Sequence, residues 1–418
     1  MMDSSNARTL HKVFCGLYSD MQRAYAGCDS KRLEPTVQSV DSWRKLPLPA
    51  DMRQQLMSSG GSGSMDSTYF PQAIQHHVLN EQSTAITYQF TVINPNHGVG
   101  RTVVLHFVVF NKRESDLNMN KMLERARRVC ALMHLVSAHA SRSTCSATLN
   151  IFIYMTEFKK MFPTARGEAL DAEHANTGLS YHCAKDNDIV VYREEEWFKV
   201  LIHESFHAFG LSFIESDMPR GVDAAMQRVL QRTYAISQPA RVYETYCEIW
   251  ARVLNVCFAC FLHSTTSAIG SASPILNINL NVFIECVMDG LHRDAQFALQ
   301  QFAKLMHYMD IPCDVMCNPT KENRAIVSKK YRENTNVFAY YVLTSVLQNS
   351  PDVFLVWCYK NNPTTGAKPR TNILQFRTIP ANFNGFMEML HHCKHRCPDP
   401  PAVAGMDVLG SNMRMTSK

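Results

Sequence analysis

The sequence predicts an α+β fold in which a small mixed sheet and its helices precede a mostly helical C-terminal region. Two β-rich runs, residues 84–93 and 102–110, flank a turn-forming stretch, which is typical of a hairpin. Strand and helix patterns then mix as far as residue 213. Beyond residue 220 the apolar residues recur only at helical spacing. This order of elements is typical of an α+β protein.

The elements after the hairpin follow from the same patterns. Short apolar runs bounded by polar residues predict strands, and longer runs with apolar residues every three or four positions predict helices. The predicted elements are a helix over 116–139, strands over 149–155, 179–182 and 188–192, and helices over 197–213, 220–235, 241–262, 275–309, 335–348 and 383–394.

The N-terminal part predicts one helix and then a flexible stretch. Apolar residues recur on one face of residues 7–26. Residues 58–64 consist only of serine and glycine, a composition typical of flexible linkers. We therefore expect a flexible appendage over residues 1–66, a core over 67–265 and a helical C-terminal region over 266–418.

Composition and charge argue against a disordered, a nucleic-acid-binding and a membrane protein. The 418 residues are 46% hydrophobic, enough to bury one large core or two smaller ones. The net charge of only +5 provides no electrostatic reason to expect nucleic acid or an anionic membrane as the partner. The N-terminus lacks the apolar run of a signal peptide, and the most apolar stretch, 250–262, is interrupted by Arg252 and Asn255. A soluble intracellular protein is expected, and its oligomeric state stays open.

The 14 cysteines are scattered along the chain rather than arranged in a disulfide framework. Cys130, Cys257, Cys260 and Cys286 lie in apolar helical runs. We expect them to be reduced, buried thiols, as in an intracellular protein.

The predicted helix 197–213 carries the sequence His203-Glu204-Ser205-Phe206-His207. Histidines four residues apart lie on one helix face, so both imidazoles can reach one metal ion. Glu204 lies at the rim of that face, where it can reach a metal-bound water without ligating. Apolar neighbours favour this interpretation over a solvated polar stripe, because buried imidazoles and carboxylates need partners. The sequence therefore predicts a Zn²⁺ site with Glu204 as general base.

A third protein ligand is expected on the predicted helix 241–262. Glu244 and Glu248 are four residues apart on one face of this otherwise apolar helix. A pair of surface glutamates is the alternative, and the apolar flanks make it the weaker one.

The combination of HExxH with a downstream ExxxE resembles the gluzincin branch of the zincin metallopeptidases. The resemblance covers residues 115–262 and implies a zincin-like catalytic core. It implies that Glu244 is the third zinc ligand and that Glu248 orients His203 by a hydrogen bond. Thirty-six residues separate His207 from Glu244, more than in the short-spaced members, and the second acid is Glu rather than Asp. Which glutamate ligates therefore stays open.

The resemblance also implies a substrate and further roles. In zincins a short edge strand pairs with the extended substrate, and its counterpart here is residues 177–182. The family places a side chain that stabilises the oxyanion; Tyr340 or Tyr341 is the candidate, with Tyr246 and His263 as further options, and core packing is an equal alternative. The chain is also similar to uncharacterised HExxH proteins of large DNA viruses.

The expected activity is zinc-dependent hydrolysis of peptide bonds in a peptide or protein substrate. The alternative is a zincin-derived scaffold or virion component that binds zinc and cleaves nothing. His391 to Cys397 is rich in zinc-ligand residue types but lacks a second ligand pair at a recognisable spacing, so a basic helix end without metal is favoured. Cys313 to Cys317 lies in a predicted loop, where a metal role is only weakly indicated.

Overall fold

A six-stranded mixed sheet with its helices precedes a helical C-terminal region, so the predicted α+β class is confirmed. The computed structural model describes residues 4–28, 33–58, 69–95, 98–266, 279–362, 372–401 and 407–417, without the side chains of 263–266. The chain divides into two units. The sheet unit comprises Ser19–Lys159 and Asn176–Leu211, and the helical unit comprises Met1–Tyr18, Lys160–Ala175 and Ser212–Lys418.

The sheet has the strand order β1-β2-β3-β4-β6-β5. Its strands are β1 (Thr36–Val40), β2 (Ser83–Ile93), β3 (Gly100–Phe110), β4 (Thr148–Met155), β5 (Gly178–Ser180) and β6 (Asp186–Val191). The β2–β3 hairpin predicted from the sequence is antiparallel and runs in register from Ser83↔Phe110 to Ile93↔Gly100. Strands β3, β4 and β6 are parallel to one another, whereas β5 is antiparallel to β6.

The helices lie before, within and after the sheet strands. They are α1 (Ser4–Ala26), α2 (Ala50–Ser58), α3 (Gln72–Asn80), α4 (Met119–His139), α5 (Ala172–Ala175), α6 (Trp197–Ala208), α7 (Val222–Thr233), α8 (Val242–Thr266), α9 (Leu280–Tyr308), α10 (Cys313–Cys317), α11 (Lys321–Lys330), α12 (Thr344–Gln348), α13 (Pro351–Asn361) and α14 (Pro380–Arg396). A π-helical segment, Phe338–Leu343, leads directly into α12.

The central strands form the core of the sheet unit. Ile151 and Ile153 on one face of β4, and Phe152 on the other, are at most 4% exposed. A strand buried on both faces has a continuous apolar sequence, which is why the run 149–155 was recognisable. Strand β6, which precedes α6, pairs with this central strand β4.

The predicted appendage over residues 1–66 needs correction. Strand β1 pairs with β2 along its whole length, from Thr36↔Thr87 to Val40↔Ser83. Met52 and Leu56 of α2 are buried in the apolar core of the sheet unit. The sequence did not reveal β1 because only Val40 of this edge strand is buried, so its residues do not alternate in polarity. The remainder of the predicted linker, residues 59–64, lies outside the described residues.

The predicted boundary between core and helical region also shifts, from residue 265 to the step between Leu211 and Ser212. Helix α6 ends at Ala208 rather than at 213, because Gly210 adopts a positive φ of 63° that terminates helices. As a result α7 and α8 belong to the helical unit.

Two pairs of cysteines form disulfides, Cys145–Cys183 in the sheet unit and Cys260–Cys286 in the helical unit. The expectation of reduced thiols is therefore wrong for Cys260 and Cys286, whose Cα atoms on α8 and α9 are 5.7 Å apart. Helical spacing within each run cannot show that two helices bring their thiols together.

Helix α8 contains the described stretch that is long and apolar enough to cross a membrane, Val242–Leu262. Within its most apolar window, 78% of the residues are buried in the protein. Such burial is typical of a core helix in a soluble protein.

Candidate metal centre

Helix α6 places the HExxH residues inside the sheet unit. It follows β6 and contacts both β6 and β5. Of the motif side chains, His203 is 5% exposed, Glu204 8% and His207 9%. Buried imidazoles and carboxylates need compensating partners, because desolvating them costs free energy.

The two imidazoles face one point. Nε2 of His203 lies 3.3 Å from Nε2 of His207. Two nitrogens that each lie about 2.0–2.1 Å from one tetrahedral zinc ion are about 3.3–3.4 Å apart. The separation of the two nitrogens is therefore compatible with both of them binding one zinc ion.

A second histidine pair shows that this distance alone does not identify a metal site. His391 and His395, four residues apart on α14, also have their Nε2 atoms 3.3 Å apart. This pair is exposed, and Lys394 and Arg396 flank it on the same helix turn. Because the spacing follows from the i, i+4 arrangement, burial and the neighbouring carboxylate distinguish the pair on α6.

The carboxylate of Glu204 is held by the edge strand of the sheet. The Ser180 hydroxyl on β5 donates a hydrogen bond to Glu204 Oε2 at 2.7 Å. Strand β5 approaches α6 so closely that a Cβ on Gly178 would lie 2.9 Å from Val200 Cγ1 and 3.2 Å from Glu204 Cγ. The edge strand predicted over 177–182 is thus in direct contact with the predicted general base.

The C-terminal end of α6 is anchored beside the histidines. The Ser146 hydroxyl donates to the Ala208 carbonyl at 2.8 Å, and the Cys183 amide donates to the His207 carbonyl at 3.1 Å. The Cys145–Cys183 disulfide joins the two segments that make these bonds. This anchoring restricts movement of the turn that carries His207.

Comparison with protein-family models, curated proteins and solved structures finds no match.

In the helical unit, α8 presents Glu244 to neutral hydrogen-bond donors. The Tyr340 hydroxyl donates to Glu244 Oε2 at 3.1 Å, and the Asn336 amide donates to Oε1 at 3.3 Å. Glu244 is 8% exposed and Tyr340 9%. A buried carboxylate held by neutral donors retains the capacity to bind a cation.

Glu248, one turn later, is paired with a cation of its own unit. Arg252 Nε donates to Glu248 Oε1 at 3.3 Å, and Arg252 Nη1 lies 3.6 Å from Asp294 Oδ2. All three side chains are at most 3% exposed. Removing one partner of such a buried group leaves an uncompensated charge.

The two candidate tyrosines, Tyr340 and Tyr341, donate hydrogen bonds to different groups. The Tyr341 hydroxyl donates to the backbone carbonyl of Met413, and its side chain is 2% exposed, as in the core-packing alternative. Tyr246 is likewise engaged, because its hydroxyl donates to the Leu374 carbonyl at 2.9 Å. Tyr340, in contrast, donates to Glu244, a predicted zinc ligand. The side chain of His263 lies outside the described residues.

Sequence reasoning missed three contacting residues. Ser180 lies within the predicted edge strand, but only the fold shows that it meets Glu204. The i, i+4 spacing of Glu248 and Arg252 was visible and is typical of a helical ion pair. Asn336 has no signal in the sequence.

Cys317 and Cys397 are thiols of the other zinc-ligand-rich stretches. Burial raises the pKa of Cys317 to about 11 and that of Cys397 to about 12. In the described part of the chain, neither belongs to a group of three ligand atoms within 4.8 Å.

Glu333 is half-buried just before the segment that carries Tyr340. Its Oε2 accepts from the Phe338 amide at 2.7 Å and from the Tyr331 hydroxyl at 2.9 Å. Burial outweighs these bonds and raises the pKa of this carboxyl from 4.5 to about 7. Between these two values the folded protein binds more protons than the unfolded chain, so stability falls as pH rises through this window.

Glu333→Gln is therefore expected to remove this pH dependence. The wild type should lose up to about 3 kcal/mol relative to the variant between about pH 4.5 and 8. Urea unfolding of both proteins across this range measures the difference. Glu322→Gln, at an exposed position of α11, is the control and should follow the wild type. Parallel curves for the wild type and Glu333→Gln would contradict the assignment.

Proposed function

We propose that the chain is a zinc-dependent peptidase whose metal is held by His203, His207 and Glu244. The observation that carries the proposal is the buried histidine pair of α6, with its Nε2 atoms 3.3 Å apart. A glutamate next to the first histidine contacts an edge strand through Ser180. Metal ligands, base and peptide-binding edge are the three parts that hydrolysis of a peptide bond needs.

The choice of Glu244 as third ligand rests on its surroundings. Each of His203, His207 and Glu244 offers one ligand atom. Glu248 already has the Arg252 guanidinium as its counter-ion, whereas the hydrogen bonds to Glu244 described above come from neutral donors. Two histidines and one carboxylate leave one coordination position open, as in catalytic zinc sites. For Glu248 we retain the role of orienting His203.

A bound zinc ion supplies an acidified water, with a pKa of about 7, and polarises the scissile carbonyl. The residues of the chain do the rest. Ser180 holds Oε2 of Glu204, which leaves Oε1 to accept the proton of the attacking water. Glu204 then delivers that proton to the departing amine. Tyr340, whose hydroxyl donates to Glu244 Oε2 in this structure, would turn this one donor to the oxyanion to stabilise it.

The proposed substrate is an extended peptide or protein segment that adds to the outer edge of β5. This strand ends the sheet order, so within the described residues its outer edge is unpaired. Main-chain hydrogen bonds at such an edge bind peptides of varied sequence.

The alternative function is a scaffold that keeps the metal without catalysis. The low exposure of the motif side chains, 5–9%, favours it, since a substrate needs access to the metal-bound water. A scaffold needs the ligands but has no use for the base.

The metal itself is tested first. His203→Ala and His207→Ala should each lose one equivalent of tightly bound zinc, because each removes one ligand. Atomic emission of dialysed protein measures the zinc. His391→Ala is the matched control, since its partner lies at the same 3.3 Å separation on an exposed helix, and it should keep the wild-type content. Unchanged zinc in both α6 variants would place the metal elsewhere.

A further inference from the structure

The sheet unit contains a second group of metal-ligating side chains. Cys28 follows the C-terminal end of α1, and Cys130 and His134 lie four residues apart on α4. One ligand atom from each lies within 4.8 Å of the other two. Both thiols are free, with Cys28 6% and Cys130 3% exposed, and His134 is half-buried. None of these residues belongs to the HExxH motif.

The fold builds this group by packing the end of α1 against α4. About two helical turns before Cys28, Asp20 Oδ2 of α1 lies 3.0 Å from His139 Nε2 of α4. This contact joins the two helices, which run antiparallel. Gly27 permits the close approach, because a Cβ there would lie 2.9–3.1 Å from three atoms of the His134 ring. The imidazole therefore lies against the backbone next to Cys28.

Ordinary core packing is the competing explanation for two buried thiols. Cys257 and Cys358 show that case, since in the described part of the chain they belong to no group of ligand atoms. Thiolate and imidazole together are the ligands that zinc prefers. Ligand atoms about 2.0–2.3 Å from one ion are about 3.3–3.8 Å apart, so side chains within 4.8 Å need only small rotations to bind it.

We propose that Cys28, Cys130 and His134 bind a Zn²⁺ ion that fastens the end of α1 to α4. These three ligands would leave the fourth coordination position to a water. This site is structural and independent of the proposed peptidase, so the chain carries two zinc ions when both are filled. Its thiolates also distinguish it chemically from a site made of histidine and carboxylate.

Cobalt in place of zinc tests the proposal on the full-length protein. A thiolate bound to Co²⁺ produces an intense charge-transfer band in the near ultraviolet, which nitrogen and oxygen ligands do not. The band is expected in the wild type and in His203→Ala. It should vanish in Cys28→Ser and Cys130→Ser, with one equivalent of cobalt lost. Cys257→Ala, which removes a buried free thiol elsewhere, is the control and should keep the band.

His134→Gln keeps the test decisive if the cysteine variants do not fold. This residue is half-buried, and its loss should weaken cobalt binding at least about tenfold. Absence of the band in folded, cobalt-treated wild type would overturn the proposal. So would an undiminished band in His134→Gln and Cys28→Ser, or a Cys28–Cys130 disulfide in peptides mapped without reduction.

Discussion

Glu204→Gln is expected to abolish peptide cleavage and to leave the zinc in place. Glutamine keeps the shape of the side chain and can still accept the hydrogen bond that Ser180 donates to Glu204 at 2.7 Å. What it removes is the base, and a positioned base contributes about 10²–10⁴-fold to the rate. Mass spectrometry of a peptide library incubated with each protein measures the loss.

Two comparisons make this result specific. Glu157→Gln removes an exposed carboxylate of the sheet unit and should cleave as the wild type does. Zinc content and thermal unfolding of Glu204→Gln should match the wild type, because Glu204 ligates nothing. Undiminished zinc-dependent cleavage by Glu204→Gln would refute the mechanism.

Glu244→Ala is expected to abolish zinc binding at the α6 site, whereas Glu248→Ala should weaken it by about 10–100-fold. The first change removes a ligand, and the second removes only the group that orients one. A competition titration with a zinc-binding dye measures both affinities. The reverse ranking would mean that Glu248 is the ligand.

Stability should rank the same two variants in the opposite order. Glu248→Ala leaves Arg252, with a side chain 2% exposed, without this carboxylate, although its 3.6 Å contact to Asp294 and its hydrogen bond to the Met415 carbonyl remain, and breaking such a buried pair costs about 3–5 kcal/mol. Glu244→Ala removes two hydrogen bonds from neutral donors, each worth about 1.5–3 kcal/mol, but it also relieves the desolvation of a buried carboxylate and leaves no charged partner behind, so its net cost should be smaller. Urea unfolding in the presence of a chelator separates this effect from metal binding.

Most of the features that were predicted from the sequence are patterns within a single helix, strand or hairpin. The hairpin, the strand now seen as β4 and the helix that bears the HExxH motif each have a local period or spacing. The histidine pair and its glutamate belong to this class, since one helix turn sets their geometry.

Features that join distant segments were not predictable in this way. Strand β1 has a single buried residue and is recognised only by its pairing with β2. The Cys260–Cys286 disulfide depends on two helices meeting. Tyr340 and Tyr341 are adjacent in sequence, yet the π-helical segment directs one hydroxyl to Glu244 and the other to the Met413 carbonyl.

Cleavage of a peptide library by the wild type, before and after removal of zinc, tests the proposed peptidase most directly. The predicted result is cleavage that stops when a chelator removes the metal and returns when zinc is restored to the same protein. Absence of cleavage by the folded, zinc-loaded wild type across a broad library would contradict it and favour the scaffold. Cleavage that continues in metal-free protein would contradict both.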